Sequence, residues 1–369
     1  MNAYDKAPKG HTYEHALIRI ETNQGVEGIG AGTYSSVTPQ TLDELRPLLG
    51  ADPMQIYRME GGRITGRAPG FAALLAKHKY LDGPLYDLVG KLSNRPAWRL
   101  IGDSVRDRVE VYDGTLYFSD VWFHDRGARA VVEEVEEALR SGYLGVKLKL
   151  GRGYKWMPKE DGLQRDIAVI REVRKAAGPK SKIMGDPNNG YQGDFDGAWR
   201  LLLETRDANL YWIEEIFPES IDGYTKLKAK MAAAGMKTLI ADGENLGDPE
   251  QFEPYLKPKR LMDVVQMDIR RGGFLASIEL AKASEAAGGV SIPHNWGSQI
   301  GVAMGLQLAK AVKAAPMAED DRSTCDVLVA EGYQFHHGSY TVPSEPGLGI
   351  RIDEKIYREK YKSAEIAVS

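Results

Sequence analysis

The chain holds one cysteine, Cys325, among 369 residues, which excludes an internal disulfide and any metal cluster built on cysteines. It also lacks an apolar run near the roughly 18 residues that would span a bilayer. The opening Met-Asn-Ala-Tyr-Asp-Lys has neither the basic nor the apolar part of a secretion signal. Charge of one sign is missing too: 52 acidic residues face 48 basic ones, for a net charge of -4. That balance gives no electrostatic reason to expect a nucleic acid or an anionic membrane as partner. The expectation is a cytoplasmic protein acting on a small molecule. At 43% apolar residues the chain can bury a large core and more than one domain.

The first hundred or so residues read as α+β. Alternation from Ala16 to Thr22, the turn Asn23-Gln24-Gly25, and Val26 to Ile29 predict a β-hairpin. Thr38-Pro39 supplies a cap and a first-turn proline ahead of Leu42, Leu45, Leu48 and Leu49, and a second helical pattern runs from Phe71 to Leu92. From Val109 onward, short apolar runs alternate with amphipathic stretches such as Val131, Val135, Leu139 or Leu163, Ile167, Ile170, Val173. The runs are 109–112, 145–150, 182–185, 210–213, 238–241, 263–267, 290–293 and 316–318. Eight βα units in one segment favour a closed parallel barrel over an open sheet. The expected division is an α+β capping domain over 1–108, a β/α barrel over 109–339, and a segment 340–369 that packs back on the capping domain.

From the second run on, each run carries at or just past its end an ionisable residue that a buried strand would not choose for packing. The series is Lys147 and Lys149, Asp186, Glu214, Glu244, Asp268, His294, Glu319, at steps of 24 to 37 residues, one βα unit each. These side chains should ring the C-terminal mouth of a barrel, where barrel enzymes place their chemistry. Three converging carboxylates would repel one another unless a cation neutralised them, and an all-oxygen set suits Mg²⁺, with Mn²⁺ as substitute. The blander reading is that each acid caps the following helix.

Lys147 and Lys149 fall on one face of a strand. Two adjacent ammonium groups should depress each other's pKa, so that one can serve as a base near neutrality. Asp268 and His294, at neighbouring strand ends, can pair and raise the basicity of the imidazole. Bases flanking a metal-held carboxylate suit removal of a proton from the adjacent carbon. A Schiff-base aldolase using Lys147 or Lys149 would have no need for the acids.

Several motifs together resemble the enolase superfamily, and within it the mandelate racemase subgroup. They are GVKLKLG, MGDPNNGY, WIEEIFPE, ADGEN, VQMDIRRGG and SIPHNWGS, with GPLYDLVGKLSNRPAWRLIG before them and VPSEPGLGI after. The resemblance covers nearly the whole chain and implies a modified (β/α)7β barrel with a capping domain, in a homo-oligomer (dimer to octamer). It implies that Asp186, Glu214 and Glu244 bind one Mg²⁺ and that Lys149 and His294 are the acid/base pair. Lys147 would tune Lys149, Asp268 would hold His294, and Glu319 would hydrogen-bond the enolate oxygen. Two choices stay open, between Glu214 and Glu215 because Ile216 follows where the family has proline, and between Glu319 and the adjacent Asp320 or Asp321. The implied activity is dehydration of an acid sugar to a 2-keto-3-deoxy acid. A racemase or epimerase of a 2-hydroxy acid would use the same residues, and a catalytically silent relative is the reading from another class.

Among weaker features, Gly28-Ile29-Gly30-Ala31-Gly32 ends a hairpin strand with no βαβ unit after it, so it reads as packing glycines. Gly151-Arg152-Gly153 follows the lysine strand and reads as a plain βα loop, with binding of an anionic group as the sharper alternative. His11 and His15 read as exposed, with substrate contact as the sharper alternative, and His336-His337 as surface.

Overall fold

The computed structural model describes residues 15–32 and 37–368; His11 lies outside them. Strands β1 (Leu17–Glu21) and β2 (Glu27–Ala31) form the expected hairpin. Thr38 caps the helix Pro39–Glu44 through a reciprocal box with Thr41. The 71–92 pattern is broken into a helix Ala72–Lys77, a single 3₁₀ turn and the helix Asp82–Leu92. The last of these lies directly on β2. A Cβ on Gly28 would sit 2.1 Å from Pro84 O, and one on Gly30 2.2 Å from Pro84 Cδ, so the glycines serve close packing. A second hairpin, β3 (Tyr57–Glu60) and β4 (Arg63–Arg67), completes the α+β part.

Eight parallel strands follow: β5 (Arg108–Leu116), β6 (Gly145–Lys149), β7 (Lys182–Asp186), β8 (Trp212–Glu214), β9 (Leu239–Asp242), β10 (Val264–Val265), β11 (Val290–Ser291) and β12 (Met317–Asp320). Each of the eight predicted runs contains or overlaps one of them. Ladders run from β5 through β11, and β12 pairs with the other side of β5. Between β11 and β12 the described residues form no ladder; the Ser291 N–H donates to Ala314 O, just ahead of β12, at 2.8 Å. The interior nevertheless behaves as a barrel core. Tyr112, Met184, Trp212, Ala241, Val264, Ile292 and Met317, one from each strand position except β6, form one buried cluster, and Lys147 of β6 lies over the Tyr112 ring at 5.9 Å.

Among the described residues seven helical connections join the eight strands, and β12 is followed directly by strand rather than helix, which gives the (β/α)7β pattern. Lys159–Ala177 illustrates how they are held. Leu163, Ile167, Ile170 and Val173 recur at helical spacing and are all buried, a face worth roughly 6–12 kcal/mol before conformational entropy is counted. After β12 come β13 (Leu328–Ala330), β14 (Gln334–His336), β15 (Ser339–Thr341) and β16 (Ile350–Ile352). β15 adds antiparallel to β5, and β13 pairs with β16. The tail also reaches the N-terminal part through one buried carboxylate. Asp87 accepts from Ile29 N (2.8 Å), Leu348 N (2.7 Å) and Lys91 Nζ (2.6 Å). Among the described residues no helix is long and apolar enough to cross a membrane.

Candidate active site

Strand alternation decides which side chains enter the barrel. On β6, Lys147 and Lys149 point inward and are buried, while Val146 and Leu148 face the helices. On β12, Met317 is in the interior cluster and Ala318 in the outer core, so Glu319 points in. Asp320 faces out and accepts from Tyr143 OH at 2.6 Å. Asp321 accepts from the N–H groups of Gly297 and Ser298. Of the three acids in this segment, only Glu319 reaches the interior.

Lys147 Nζ lies 2.7 Å from Glu214 Oε1, 2.8 Å from Glu319 Oε1 and 3.5 Å from Asp186 Oδ2. Lys149 donates to Asp186, which is directly opposite it across the β6–β7 ladder. Lys147 does act to lower the pKa of Lys149, as expected, but the carboxylates around the pair prevail. Burial disfavours both ammonium groups, but Glu214 and Glu319 around Lys147, and Asp186 beside Lys149, outweigh it and raise both pKa values. Burial pushes Glu214 up to about 7 despite Lys147, whereas Lys149 and Lys147 outweigh burial at Asp186 and hold it below the ordinary range.

Across the mouth, His294 Nδ1 is 3.0 Å from Asp268 Oδ2, and its Nε2 is 3.3 Å from Glu244 Oε2. Burial opposes the imidazolium, but Glu244 and Asp268 raise its pKa to about 9. Asp268 also caps the helix Ile269–Ala286, accepting from Arg270 N and Arg271 N, and takes Arg270 Nη2 at 2.9 Å. It therefore both caps a helix and orients an imidazole. The capping explanation fails for the other acids: the helices after β7, β8 and β9 are capped by Asp194, Ser220 and Asp248, not by Asp186, Glu214 or Glu244.

Glu215 is buried in the left-handed region, φ 41°. Its Oε2 accepts from Asn188 Nδ2 and its Oε1 from Asn245 Nδ2, both at 2.8 Å. Glu214 Oε2 accepts instead from Trp212 Nε1 (3.1 Å) and Gln266 Nε2 (3.0 Å). Among the described residues, no three His, Asp or Glu side chains already converge as a metal cage. The donor set still suits a hard cation. Six buried or part-buried carboxylates (Asp186, Glu214, Glu215, Glu244, Asp268, Glu319) face four cationic groups (Lys147, Lys149, Arg270, His294). Oxygen donors of this kind suit Mg²⁺.

Of three further groups near the mouth, the sequence reading missed only Tyr117. Tyr117 lies after β5 and its ring is 5.9 Å from Lys149 Nζ, while its OH accepts from Trp296 Nε1 at 2.5 Å. His15 packs edge-on against Trp296 at 6.3 Å and is 3.4 Å from Arg270 Nη1. It is half-buried, not exposed, and burial together with Arg270 lowers its pKa to about 4. Arg152, read as part of a plain loop, is fully buried. It binds Asp120 through Nε and Nη2 and Asp166 through Nη1. His336 and His337 are exposed, as expected. A separate cavity of about 320 Å³ lies outside the barrel wall, lined by Tyr143, Gln299, Arg322 and Tyr333 among others. Its charged groups are already paired, Arg322 with Asp113 and Asp320 with Tyr143, so the chemistry belongs to the barrel mouth.

Residues 130–356 match the model of the family described as Enolase C-terminal domain-like. A D-xylonate dehydratase of Haloferax volcanii is 26% identical over 360 residues, covering 92% of this chain and 84% of that protein. A structure of a galacturonate dehydratase from a Geobacillus species, complexed with D-galacturonate and 5-keto-4-deoxy-D-galacturonate, superposes with a TM-score of 0.77. It is 32% identical and covers 92% of this chain and 86% of that one. A mandelate racemase/muconate lactonizing protein from Geobacillus sp. Y412MC10, complexed with magnesium and tartrate, gives a TM-score of 0.78 at 31% identity, covering 92% and 85%.

Proposed function

Because the chain belongs to the Enolase C-terminal domain-like family of the enolase superfamily, we propose that it is a Mg²⁺-dependent dehydratase of acid sugars, giving 2-keto-3-deoxy acids. The observation that carries this reading is the pair of proton-transfer groups on two sides of one carboxylate cluster. Lys149 meets it at Asp186, and the His294–Asp268 pair meets it at Glu244. The relatives that act on acid sugars add to it.

Asp186, Glu244 and the inward Glu214 are the residues that would hold the ion. When bound, Mg²⁺ supplies positive charge beside the substrate carboxylate, where negative charge grows as the α-proton leaves. One member of the Lys149/His294 pair takes the α-proton. The other donates a proton to the departing β-hydroxyl, so the C–H and C–O bonds break, water leaves, and the enol relaxes to the ketone. Lys147 keeps a fixed positive charge beside Glu319 and Glu214. Glu319, held by Asn295 N at 3.0 Å and paired with Lys147, would have to carry a proton to donate a hydrogen bond to the developing enolate oxygen. The reading includes a homo-oligomer, whose subunit number sedimentation would give, and a reducing compartment, in keeping with the lone Cys325.

The test is a library of aldonates and aldarates with Mg²⁺, assayed for 2-keto acid and, in heavy water, for α-deuterium. Product from at least one substrate is expected, with exchange lost in both Lys149→Ala and His294→Asn. Full activity in both variants refutes the assignment. Inversion without 2-keto acid would make the protein a racemase or epimerase working with the same residues.

A further inference from the structure

Glu215 follows the inward Glu214, yet among the described residues no cationic side chain is bonded to its carboxylate; what it holds is amide groups. Its left-handed backbone, costly by about 1–2 kcal/mol for a residue with a Cβ, turns the carboxylate sideways out of strand alternation. There it accepts from Asn188, two residues after Asp186, and from Asn245, one residue after Glu244, with Asn189 Nδ2 a longer third donor at 3.4 Å. The backbone of Glu215 is bonded on the same two sides. Its N–H donates to Ala241 O of β9 at 3.2 Å, and its carbonyl accepts from Asn189 N at 2.7 Å. One residue thus ties the loop after β7 to β9 by main chain and to the loop after β9 by side chain. Strain of this kind persists only where surrounding bonds hold it.

We propose that Glu215 is a positioning residue for the metal site, clasping Asn188 and Asn245 so that Asp186 and Glu244 are held at the right separation, while standing outside the ion's own ligand set. The inference rests on the metal site of the proposed function. It also separates the two glutamates that the motif leaves ambiguous: Glu214 faces the barrel interior and Lys147, and Glu215 braces the loops. Partners that orient metal ligands in this way are typically worth 10- to 100-fold in affinity. In Glu215→Gln one oxygen becomes an NH₂ group, so the side chain cannot accept from both asparagines as they stand.

The experiment is Mn²⁺ binding, read from the EPR signal of the free ion, on full-length metal-stripped protein. Wild type, E215Q, N245A and the E215Q/N245A double variant are compared, with thermal melting alongside. Each single variant should bind Mn²⁺ roughly 10- to 100-fold more weakly while melting close to wild type. The double variant should be little weaker than E215Q, because both changes open one clasp. If E215Q does not fold, N188A and N245A open the same clasp from the other side and carry the test alone. Unchanged affinity in the variants overturns the clasp, as does a crystal structure of the Mn²⁺-loaded wild type in which Glu215 itself ligates the ion. Failure of the wild type to bind Mn²⁺ defeats the metal site, and the clasp with it, which is a distinguishable result.

Discussion

Replacing Arg152 by methionine tests whether buried charge pairing holds the end of β6 in place. The guanidinium is fully buried, takes Asp120 at 2.6 and 2.9 Å and Asp166 at 2.7 Å, and donates to Lys149 O at 3.1 Å. Breaking a buried ion pair from one side costs about 3–5 kcal/mol, because the partner charge stays behind. The lower end applies here. Asp120 retains Arg165 at 3.1 Å, and Asp166 retains Tyr191 OH and Gly151 N, both at 2.8 Å. A loss of about 3 kcal/mol is a little over two decades in the unfolding equilibrium, readable as a shift in urea midpoint. The pH dependence identifies its origin. Burial already outweighs Arg152 and raises the pKa of Asp166, and removing the cation raises it further. A carboxyl whose folded pKa exceeds its unfolded value of about 3.9 loses stability as pH rises through that interval, by the full amount above the folded pKa. The deficit of Arg152→Met relative to wild type should therefore be largest near pH 8 and shrink as pH falls. A deficit that does not vary with pH would mean that lost packing, not stranded charge, is the cause, and no deficit would refute the network. Turnover well below the melt should fall as well, since Lys149 loses its backbone anchor.

Asp87→Ala leaves the Ile29 and Leu348 N–H groups buried without an acceptor, which should cost about 2–6 kcal/mol and speed hydrogen exchange at both amides. Gly30→Ala forces a Cβ to 2.2 Å from Pro84 Cδ and should cost about 1–3 kcal/mol, whereas Gly25→Ala, with nothing within 4 Å but φ 75°, should cost only about 1–2 kcal/mol from backbone strain; thermal melting ranks the two. Chelation with EDTA should abolish keto-acid formation, with Mg²⁺ restoring it and Mn²⁺ substituting, and turnover that survives exhaustive chelation would exclude the assigned role of the acids.

The barrel and its ring of ionisable residues were legible because both rest on short-range periodicity. Period 2 on β6 puts Lys147 and Lys149 on one face, and one acid or base per βα unit follows from the repeat length. The state of those groups was not legible, because it depends on what lies across the barrel. Lys147 is held by Glu214 and Glu319 from strands remote in sequence, and these outweigh the neighbouring lysine that sequence makes prominent. The burial of Arg152 was not legible for the same reason. Its partners lie 32 and 14 residues away, on opposite sides of it in the chain, and nothing local marks a loop arginine as buried. His15 was read as exposed because the surface that covers it, Trp296 and Arg270, comes from the far end of the chain.

The choice among Glu319, Asp320 and Asp321 turned on strand boundaries, and it marks where sequence reasoning stops. Alternation assigns a face only once one inward residue is known, and Ala-Pro-Met-Ala-Glu-Asp-Asp is too short an apolar run to supply one. Pairing of β12 with β5 supplies it, aligning Met317 with Glu110 and Glu319 with Tyr112. With Met317 in the interior cluster, Glu319 two residues on must face Lys147, and Asp320 must face Tyr143. A register slip of one residue would exchange them. It would leave Lys147 beside Ala318 and bury Glu319 in the outer hydrophobic core, so the buried charge of Lys147 itself helps to fix the register of the closing strand.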